Sequence, residues 1–282
     1  MDDRASVTAQ RVAMRRAAHQ LLDVPPVLAD SLALAILGPD GAAALRADPA
    51  REQGSALASY LRAFLAVRSR IAEDELALAV ARGVRTYVVL GAGLDTFAYR
   101  NPHADLRVIE VDHPASQAFK RARLQTAGIA VPANVTFAAI DFETRALADV
   151  LREAGLLPGA ACWFSWLGVT PYLERASVSA TFDAVAPLAS GGGGLVFDYS
   201  LPPGTLAGPA RAAFEHLAER VRAAGEPFRS FFTPAELARE LTSRGFTALD
   251  DLGSDAINAR WFSDRTDGLR VGSLGRVMIA KA

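Results

Sequence analysis

Short apolar runs recur from residue 85 onward, and helix-like stretches separate them. The runs are too short for buried helices and are typical of strands that are buried on both faces. They cover residues 87–90, 106–111, 135–140, 160–167 and 195–199, with two late candidates at 246–249 and 276–280. Strands that alternate with helices predict an α/β fold with a doubly wound, mostly parallel sheet.

A helical leader precedes the first strand. Residues 6–80 have helical patterns, with breaks at Pro25-Pro26, Gly38-Pro39 and Asp48-Pro49. The last part, 55–80, carries an apolar stripe at helical spacing, made of Leu57, Leu61, Phe64, Leu65, Ile71, Leu76 and Ala79. Arg68 falls on this stripe, whereas Arg70 falls off it. An inward arginine needs an anion, either the carboxylate of a ligand or an Asp or Glu of the fold, and the spacing leaves both open.

The first predicted strand runs directly into Gly91-Ala92-Gly93-Leu94-Asp95-Thr96. Glycines allow positive φ and let the backbone approach a ligand closely. A dinucleotide fingerprint would have a third glycine, which is absent here. Asp95 would repel a pyrophosphate but suits a ligand with ammonium and hydroxyl groups. S-adenosylmethionine is such a ligand.

A second acid supports this prediction. Asp112 ends the next strand, 21 residues after Gly91, where doubly wound folds place the carboxylate that binds ribose hydroxyls. An ordinary βα turn followed by a surface aspartate is the alternative. Right-handed crossovers bring Asp141 and the segment that begins at Trp166 to the same carboxyl edge of the sheet. We therefore expect one crevice at that edge.

The region after the fifth strand reads as an insertion over this edge. Residues 206–224 form a predicted helix with the stripe Ala210, Phe214, Leu217 and Val221, and His216 lies opposite the stripe. Thr233-Pro234-Ala235-Glu236 predicts a helix start. We interpret 1–282 as one domain, with a helical N-terminal cap (1–82), a cofactor-binding core (83–200), a lid (201–232) and a C-terminal part of the core (233–282).

Composition excludes several classes of function. The 282 residues carry 30 basic and 31 acidic side chains, so no net field attracts nucleic acid or an anionic membrane. No apolar run approaches the length of a membrane span, and the charged first residues lack the core of a signal peptide, so we expect a cytoplasmic protein. Cys162 is the single cysteine, which excludes an intrachain disulfide and a cysteine-based metal site.

Several stretches resemble the leucine carboxyl methyltransferase-like family of S-adenosylmethionine-dependent methyltransferases, in the branch of bacterial polyketide O-methyltransferases. They are SVTAQRVAMRRAAH (6–19), FLAVRSRIAED (64–74), VVLGAGLDTFAYR (88–100), VIEVDHP (108–114), AIDFE (139–143), WLGVTPYL (166–173) and EPFRSFFTP (226–234). They span nearly the whole chain in the order of the family. The resemblance implies a class I methyltransferase fold and methyl transfer to a small molecule, in polyketide-type metabolism.

The resemblance also implies contacts with the cofactor. By it, Arg68 pairs with the methionyl carboxylate, Gly91 lies beneath that group, and Arg16 closes over it. Asp112 takes the ribose hydroxyls, and Asp141 and Phe142 border the adenine. With Ala92, Gly93, Asp95 and Trp166 from the same edge, these are the candidate cofactor-binding residues. One departure is Leu167, where many relatives carry a glutamate.

The chemistry of the acceptor stays open in the sequence. A carboxylate is ionised at pH 7 and needs no base, whereas a phenol benefits from one. The four histidines, His19, His103, His113 and His216, lie in no evident base motif. We therefore expect a metal-free O-methyltransferase acting on a carboxylate or an acidic hydroxyl, with no catalytic residue assigned. The alternatives are a silent cofactor-binding homologue and, less favoured, an NAD-linked oxidoreductase.

Overall fold

Seven strands form one mixed sheet in the computed structural model of this protein, which describes residues 7–141 and 144–282. The strands are β1 (Thr86–Leu90), β2 (Arg107–Asp112), β3 (Val135–Ala139), β4 (Cys162–Trp166), β5 (Gly194–Ser200), β6 (Ala248–Leu252) and β7 (Gly275–Lys281). Their order is β3-β2-β1-β4-β5-β7-β6. Strands β1 to β5 pair in parallel, and β7 is antiparallel to both of its neighbours. The predicted doubly wound sheet with a late antiparallel strand is confirmed.

Ten helices lie around the sheet in the described part of the chain. They are α1 (Val7–Leu22), α2 (Gly38–Ala47), α3 (Ala56–Ala81), α4 (Phe97–Arg100), α5 (Pro114–Thr126), α6 (Leu147–Glu153), α7 (Arg175–Ala189), α8 (Gly208–Ala223), α9 (Pro234–Thr242) and α10 (Ser254–Trp261). One apolar core joins one face of the sheet to α6, α7 and α9, and a second joins the other face to α3 and α10. Helices therefore cover both faces, as a parallel sheet requires.

The N-terminal cap forms its own apolar cluster. Ala13 and Ala17 of α1 pack with Ile36, Leu45 of α2 and Leu124 of α5. Small residues on α1 allow this close approach. The cap therefore rests on the helix that follows β2, next to the carboxyl edge of the sheet.

Two features at the C-terminal end differ from the prediction. Strand β6 covers 248–252 rather than 246–249, because Phe246 is 1% exposed and packs in the core before the strand begins. Helix α10 was not predicted. The capping box between Thr233 and Glu236 at the start of α9 is confirmed, with Thr233 N donating to Glu236 Oε2 at 2.7 Å. In the described ranges, no helix has the length and apolar character needed to cross a bilayer.

Candidate active site

The turn after β1 is tied to the end of β2. Gly91 and Gly93 both have positive φ, at 67° and 42°. The Gly91 amide donates to Val111 O at 2.8 Å, and the Gly93 amide donates to Asp112 Oδ2 at 2.6 Å. The glycine turn and the predicted ribose acid therefore meet directly, as the sequence indicated.

Asp112 is the last residue of β2 and is half-buried. Its second oxygen, Oδ1, accepts from the amide of His113 at 2.7 Å. Backbone amides hold the carboxylate in one orientation at the start of α5, and part of it still faces solvent. Its contact with a ribose stays a prediction.

The loop after β4 packs onto the glycine turn. A Cβ on Gly91 would overlap a methyl group of Val169, so glycine is required there by the fold itself. Gly168 has φ 74°, and a Cβ on it would lie 2.7 Å from Arg68 Nη2. This close approach of helix α3 to the loop was not predicted.

Arg68 is buried, as its place on the apolar stripe predicted, but it has an internal partner. Its Nη1 lies 2.7 Å from Asp198 Oδ2, and the side chains are 8% and 6% exposed. Asp198, on β5, also accepts from the Gly168 amide at 2.6 Å. The Arg68 Nε is buried and has no hydrogen-bond partner among the described residues. Arg68 is thus anchored in the fold and keeps one unused donor.

Arg16 is also paired inside the protein, although its buried Nε has no hydrogen-bond partner among the described residues. Its guanidinium lies 2.7 Å from Asp30 Oδ2 and 3.1 Å from Asp95 Oδ2. Burial alone would raise the pKa of Asp95, but Arg16 and Lys120 hold it below its usual value. The ion pair between Arg16 and Asp95 therefore holds the cap helix α1 against the glycine turn. A direct contact of Arg16 or Asp95 with a cofactor stays a prediction.

The remaining predicted residues differ in their positions. The Trp166 side chain is 0% exposed and packs against Phe182 and Phe197 in the core, with ring centroids 5.9 and 6.4 Å apart. The ring therefore belongs to the core, and a contact of Trp166 with a cofactor stays a prediction. Asp141 follows β3 and is half-buried at the expected edge. Phe142 lies outside the described residues.

A cavity of about 120 Å³ opens beside this edge. Its walls come from α1, α3, α8, the loops that follow β4 and α8, the end of β5 and the start of β7. Its apolar lining includes Val12, Leu61, Phe64, Leu65, Pro171, Leu217, Val221 and Phe228, and its polar lining includes Arg11, Arg15, Arg68, Tyr172, Asp198 and Arg220. Leu217 and Val221 belong to the predicted stripe of α8, and His216 is exposed, both as expected. The predicted insertion therefore does form a wall over the carboxyl edge.

No described histidine lines this cavity. Burial raises the pKa of Tyr172 to about 12, opposed by Arg68 and reinforced by Asp198 and Glu226. Asp198 is occupied by Arg68 and the Gly168 amide. The described walls therefore offer no group suited to remove a proton at neutral pH.

The family model described as leucine carboxyl methyltransferase matches residues 9–186. The chain belongs to the leucine carboxyl methyltransferase family. The matched range includes the glycine turn, Asp112, Arg68 and the loop after β4, whereas the parts of the cavity wall from β5, α8, Phe228 and the start of β7 lie outside it. The suspected family is confirmed.

Relatives in this family carry names of the same kind. The chain is 36% identical over 206 residues to YktD of Bacillus subtilis, provisionally named an S-adenosyl-L-methionine-dependent methyltransferase, with 71% of this chain and 65% of that protein covered. A protein of Mycobacteroides abscessus with the same provisional name is 33% identical over 200 residues, covering 71% and 66%. The chain spans just under two thirds of the length of these curated relatives.

Solved structures confirm the fold. A provisionally named methyltransferase from Thermobifida fusca superposes with a TM-score of 0.55 at 20% identity, covering 100% of this chain and 97% of that one. A DUF574 family protein from Streptomyces avermitilis gives a TM-score of 0.57 at 16% identity, covering 99% and 98%. The family member described here therefore has the class I methyltransferase fold, with a helical cap before β1 and an insertion after β5.

Sequence reasoning missed several buried charges in this family member, among them Asp198 and Arg62. Asp198 sits in the middle of an apolar strand, LVFDYS, where its polarity was a readable signal. Arg62 is 2% exposed and donates to both oxygens of Asp23, which also contacts His19 Nδ1 at 2.7 Å. Arg62 stands six residues before Arg68 on the same helix. As with Arg68, the signal in the sequence was a charged residue within the apolar pattern of α3. The surrounding apolar residues made this signal easy to overlook.

Proposed function

We propose that this chain is an S-adenosylmethionine-dependent O-methyltransferase whose acceptor is a carboxylate of a small molecule. The observation that carries the proposal is the meeting of the glycine turn and the Asp112 carboxylate, 2.6 Å apart, beside a cavity walled by the cap and by α8. The glycine turn with Asp112 suits the cofactor, and the cavity suits an acceptor. Membership of the leucine carboxyl methyltransferase family supports both.

The residues at the edge fit the chemistry of the cofactor. Asp112 offers a carboxylate for ribose hydroxyls, and the positive φ values at Gly91 and Gly93 keep side chains off the turn. Arg68 has an unpartnered, buried Nε at the same edge, which is the donor that a methionyl carboxylate would accept from. When bound, S-adenosylmethionine supplies an electrophilic methyl group on a sulfonium. We infer that Arg68, Asp112 and Asp141 hold it.

A carboxylate acceptor is favoured because the described walls of the cavity offer no group suited to act as a base. A phenol would need a base, and Tyr172, with its raised pKa, is not one. A carboxylate is already ionised at pH 7. The chain then only has to hold the acceptor in line and exclude water, and the apolar walls from α3 and α8 serve both purposes.

The function is tested by a screen of carboxylic acids and phenols with a labelled methyl donor. We expect methyl esters as products, and a rate that stays flat between about pH 6 and 9, because the acceptor carboxylate is ionised throughout that range. A rate that rises tenfold per pH unit would indicate a hydroxyl acceptor. Binding of S-adenosylhomocysteine with no product from any acceptor would indicate a silent homologue, and binding of NADH instead would indicate an oxidoreductase.

Asp112→Ala should weaken the binding of S-adenosylhomocysteine by about 1.5–3 kcal/mol, the usual value of hydrogen bonds to a charged group. Adenosine should lose the same amount, because it keeps the ribose. Since Asp112 also accepts from the Gly93 amide, Asp112→Asn is the matched control, which keeps an acceptor for that amide. Calorimetry on both folded variants checks this, and unchanged affinity in Asp112→Ala would exclude the ribose role.

Helices α1 and α8 should become better protected from hydrogen exchange when cofactor and acceptor bind. Both line the cavity, and segments that cover an active site commonly order on ligand binding. The measurement compares amide exchange in 7–22 and 208–223 with and without S-adenosylhomocysteine and an acceptor. Helix α7, on the far face of the sheet, is the internal control. Equal exchange in both states would remove the support for a lid.

A further inference from the structure

Three arginines line the cavity in addition to Arg68. Arg11 and Arg15 lie four residues apart on α1 and so share one face of the helix, and Arg220 comes from α8. Burial is the main cause that lowers the pKa of Arg15; Glu52 opposes it, and repulsion from Arg220 and Arg11 adds to it. Like charges are therefore crowded around one part of the cavity.

Arg15 is the least exposed of these three arginines, and its charge is poorly matched. Only 13% of its side chain is exposed, and the carboxylate of Glu52 lies 3.7 Å from Nε, beyond hydrogen-bond distance. The Nε is buried without a hydrogen-bond partner among the residues described. Asp198, which also lines the cavity, is paired with Arg68, and Glu226 accepts from the amide of Thr8 at 3.0 Å. A half-buried guanidinium whose buried Nε lacks a partner among the described residues is a site for an anion.

The rest of the cavity is apolar. Phe64 and Leu61 of α3 face Leu217 and Val221 of α8, and Phe228 closes the wall. Phe228 is itself held by rings, with its centroid 5.3 Å from that of Tyr172 and 5.7 Å from that of Phe214. The walls therefore suit a hydrocarbon or aromatic body, and the arginines suit a charge attached to it.

We propose that the methyl acceptor carries a second anionic group, which does not react, and that Arg15 binds this group together with Arg11 and Arg220. The proposal rests on the proposed function, because it places the reacting carboxylate in the same cavity, at the edge of the sheet. Arg15 thereby selects acceptors with two anions over acceptors with one.

The test compares matched diacids and monoacids by calorimetry, with the full chain alone and saturated with S-adenosylhomocysteine. The pairs are isophthalate with 3-methylbenzoate and adipate with hexanoate, in which a methyl group replaces one carboxylate. Charge-assisted hydrogen bonds predict that a diacid binds about 10- to 100-fold more tightly than its monoacid. If neither pair shows a preference for the diacid, whether both members bind alike or neither binds, the proposal is overturned.

Variants test whether the arginines cause the preference for diacids over monoacids. Arg15→Gln should reduce the preference to about twofold or less, while S-adenosylhomocysteine binds as before, which shows that the fold is intact. Arg222→Gln is the control, because Arg222 lies on the same helix as Arg220 but pairs with Glu219 on the surface. A preference that survives in Arg15→Gln would overturn the proposal. If the wild type does not bind S-adenosylhomocysteine, the proposed function itself is contradicted, regardless of how the diacids bind.

Discussion

Replacing Arg68 by methionine should lower the free energy of unfolding of the ligand-free protein by about 3–5 kcal/mol, the usual cost of breaking a buried ion pair on one side. The substitution leaves Asp198, 4% exposed on β5, with a charge that, among the residues the structure describes, only the Gly168 amide satisfies. Denaturant unfolding at pH 7 measures the loss. The sequence left two anions open for Arg68, a ligand carboxylate and an acid of the fold, and the structure shows an acid of the fold, Asp198, as its partner.

Arg70→Met is the matched control for this prediction. Arg70 lies two residues further along α3 and pairs with Asp74 on the surface, where the side chains are 46% and 38% exposed. Exposed pairs contribute about 1 kcal/mol or less, so the control should change stability little. A loss in Arg68→Met as small as that in Arg70→Met would contradict the buried pair.

The cofactor role of Arg68 is best tested in a variant in which the loss of Arg68 leaves no buried carboxylate unpaired. In an Asp198→Asn background, Arg68→Met should weaken S-adenosylhomocysteine binding by about 1.5–3 kcal/mol and leave 5′-methylthioadenosine, which lacks the amino-acid part, unaffected. Equal losses for the two ligands would assign Arg68 a purely structural role.

Lys120→Met should destabilise the protein by a similar amount, about 3–5 kcal/mol, and more at high pH than at low pH. Lys120 Nζ lies 2.7 Å from Glu110 Oε1, with the two residues 1% and 0% exposed. Tyr99 donates to the other oxygen of Glu110 at 2.9 Å. Nothing else in the described surroundings offsets the charge of Glu110 once Lys120 is gone.

The sign of the pH dependence follows from Glu110. Burial raises its pKa even with Lys120 beside it, and removing the lysine raises it further. Above the ordinary pKa of a glutamate, about 4.3, the unfolded chain releases a proton that the folded variant keeps. Stability therefore falls as pH rises from about 4 through the raised folded value. Unfolding of Lys120→Met between pH 5 and 8 measures this decline.

A double variant provides the control for the buried pair. Lys120→Met with Glu110→Gln removes both charges, so the double variant should recover much of the lost stability and lose the extra pH dependence. If the double variant is no more stable than Lys120→Met, the cost comes from packing rather than from the unpaired carboxylate.

The sequence was sufficient for features that depend on local spacing. Strands β1 to β5 follow from short apolar runs, because a strand buried on both faces carries mostly apolar side chains. Burial of Arg68 and exposure of Arg70 follow from helical periodicity, and the start of α9 follows from a capping box. The glycine turn and Asp112 meet because the carboxyl ends of adjacent parallel strands share one edge.

Only the tertiary structure decided which charges pair and which side chains face the crevice. Arg68 and Asp198 are 130 residues apart, and no local spacing relates an arginine on α3 to an acid on β5. Trp166 ends a strand at the correct edge, but the faces of that strand could be assigned only once α7 had packed against one of them. Of the arginines that line the cavity, Arg11 and Arg15 come from α1 and Arg220 comes from α8, which are far apart in the sequence. Their charges converge because the cap and the insertion both fold over the same edge of the sheet.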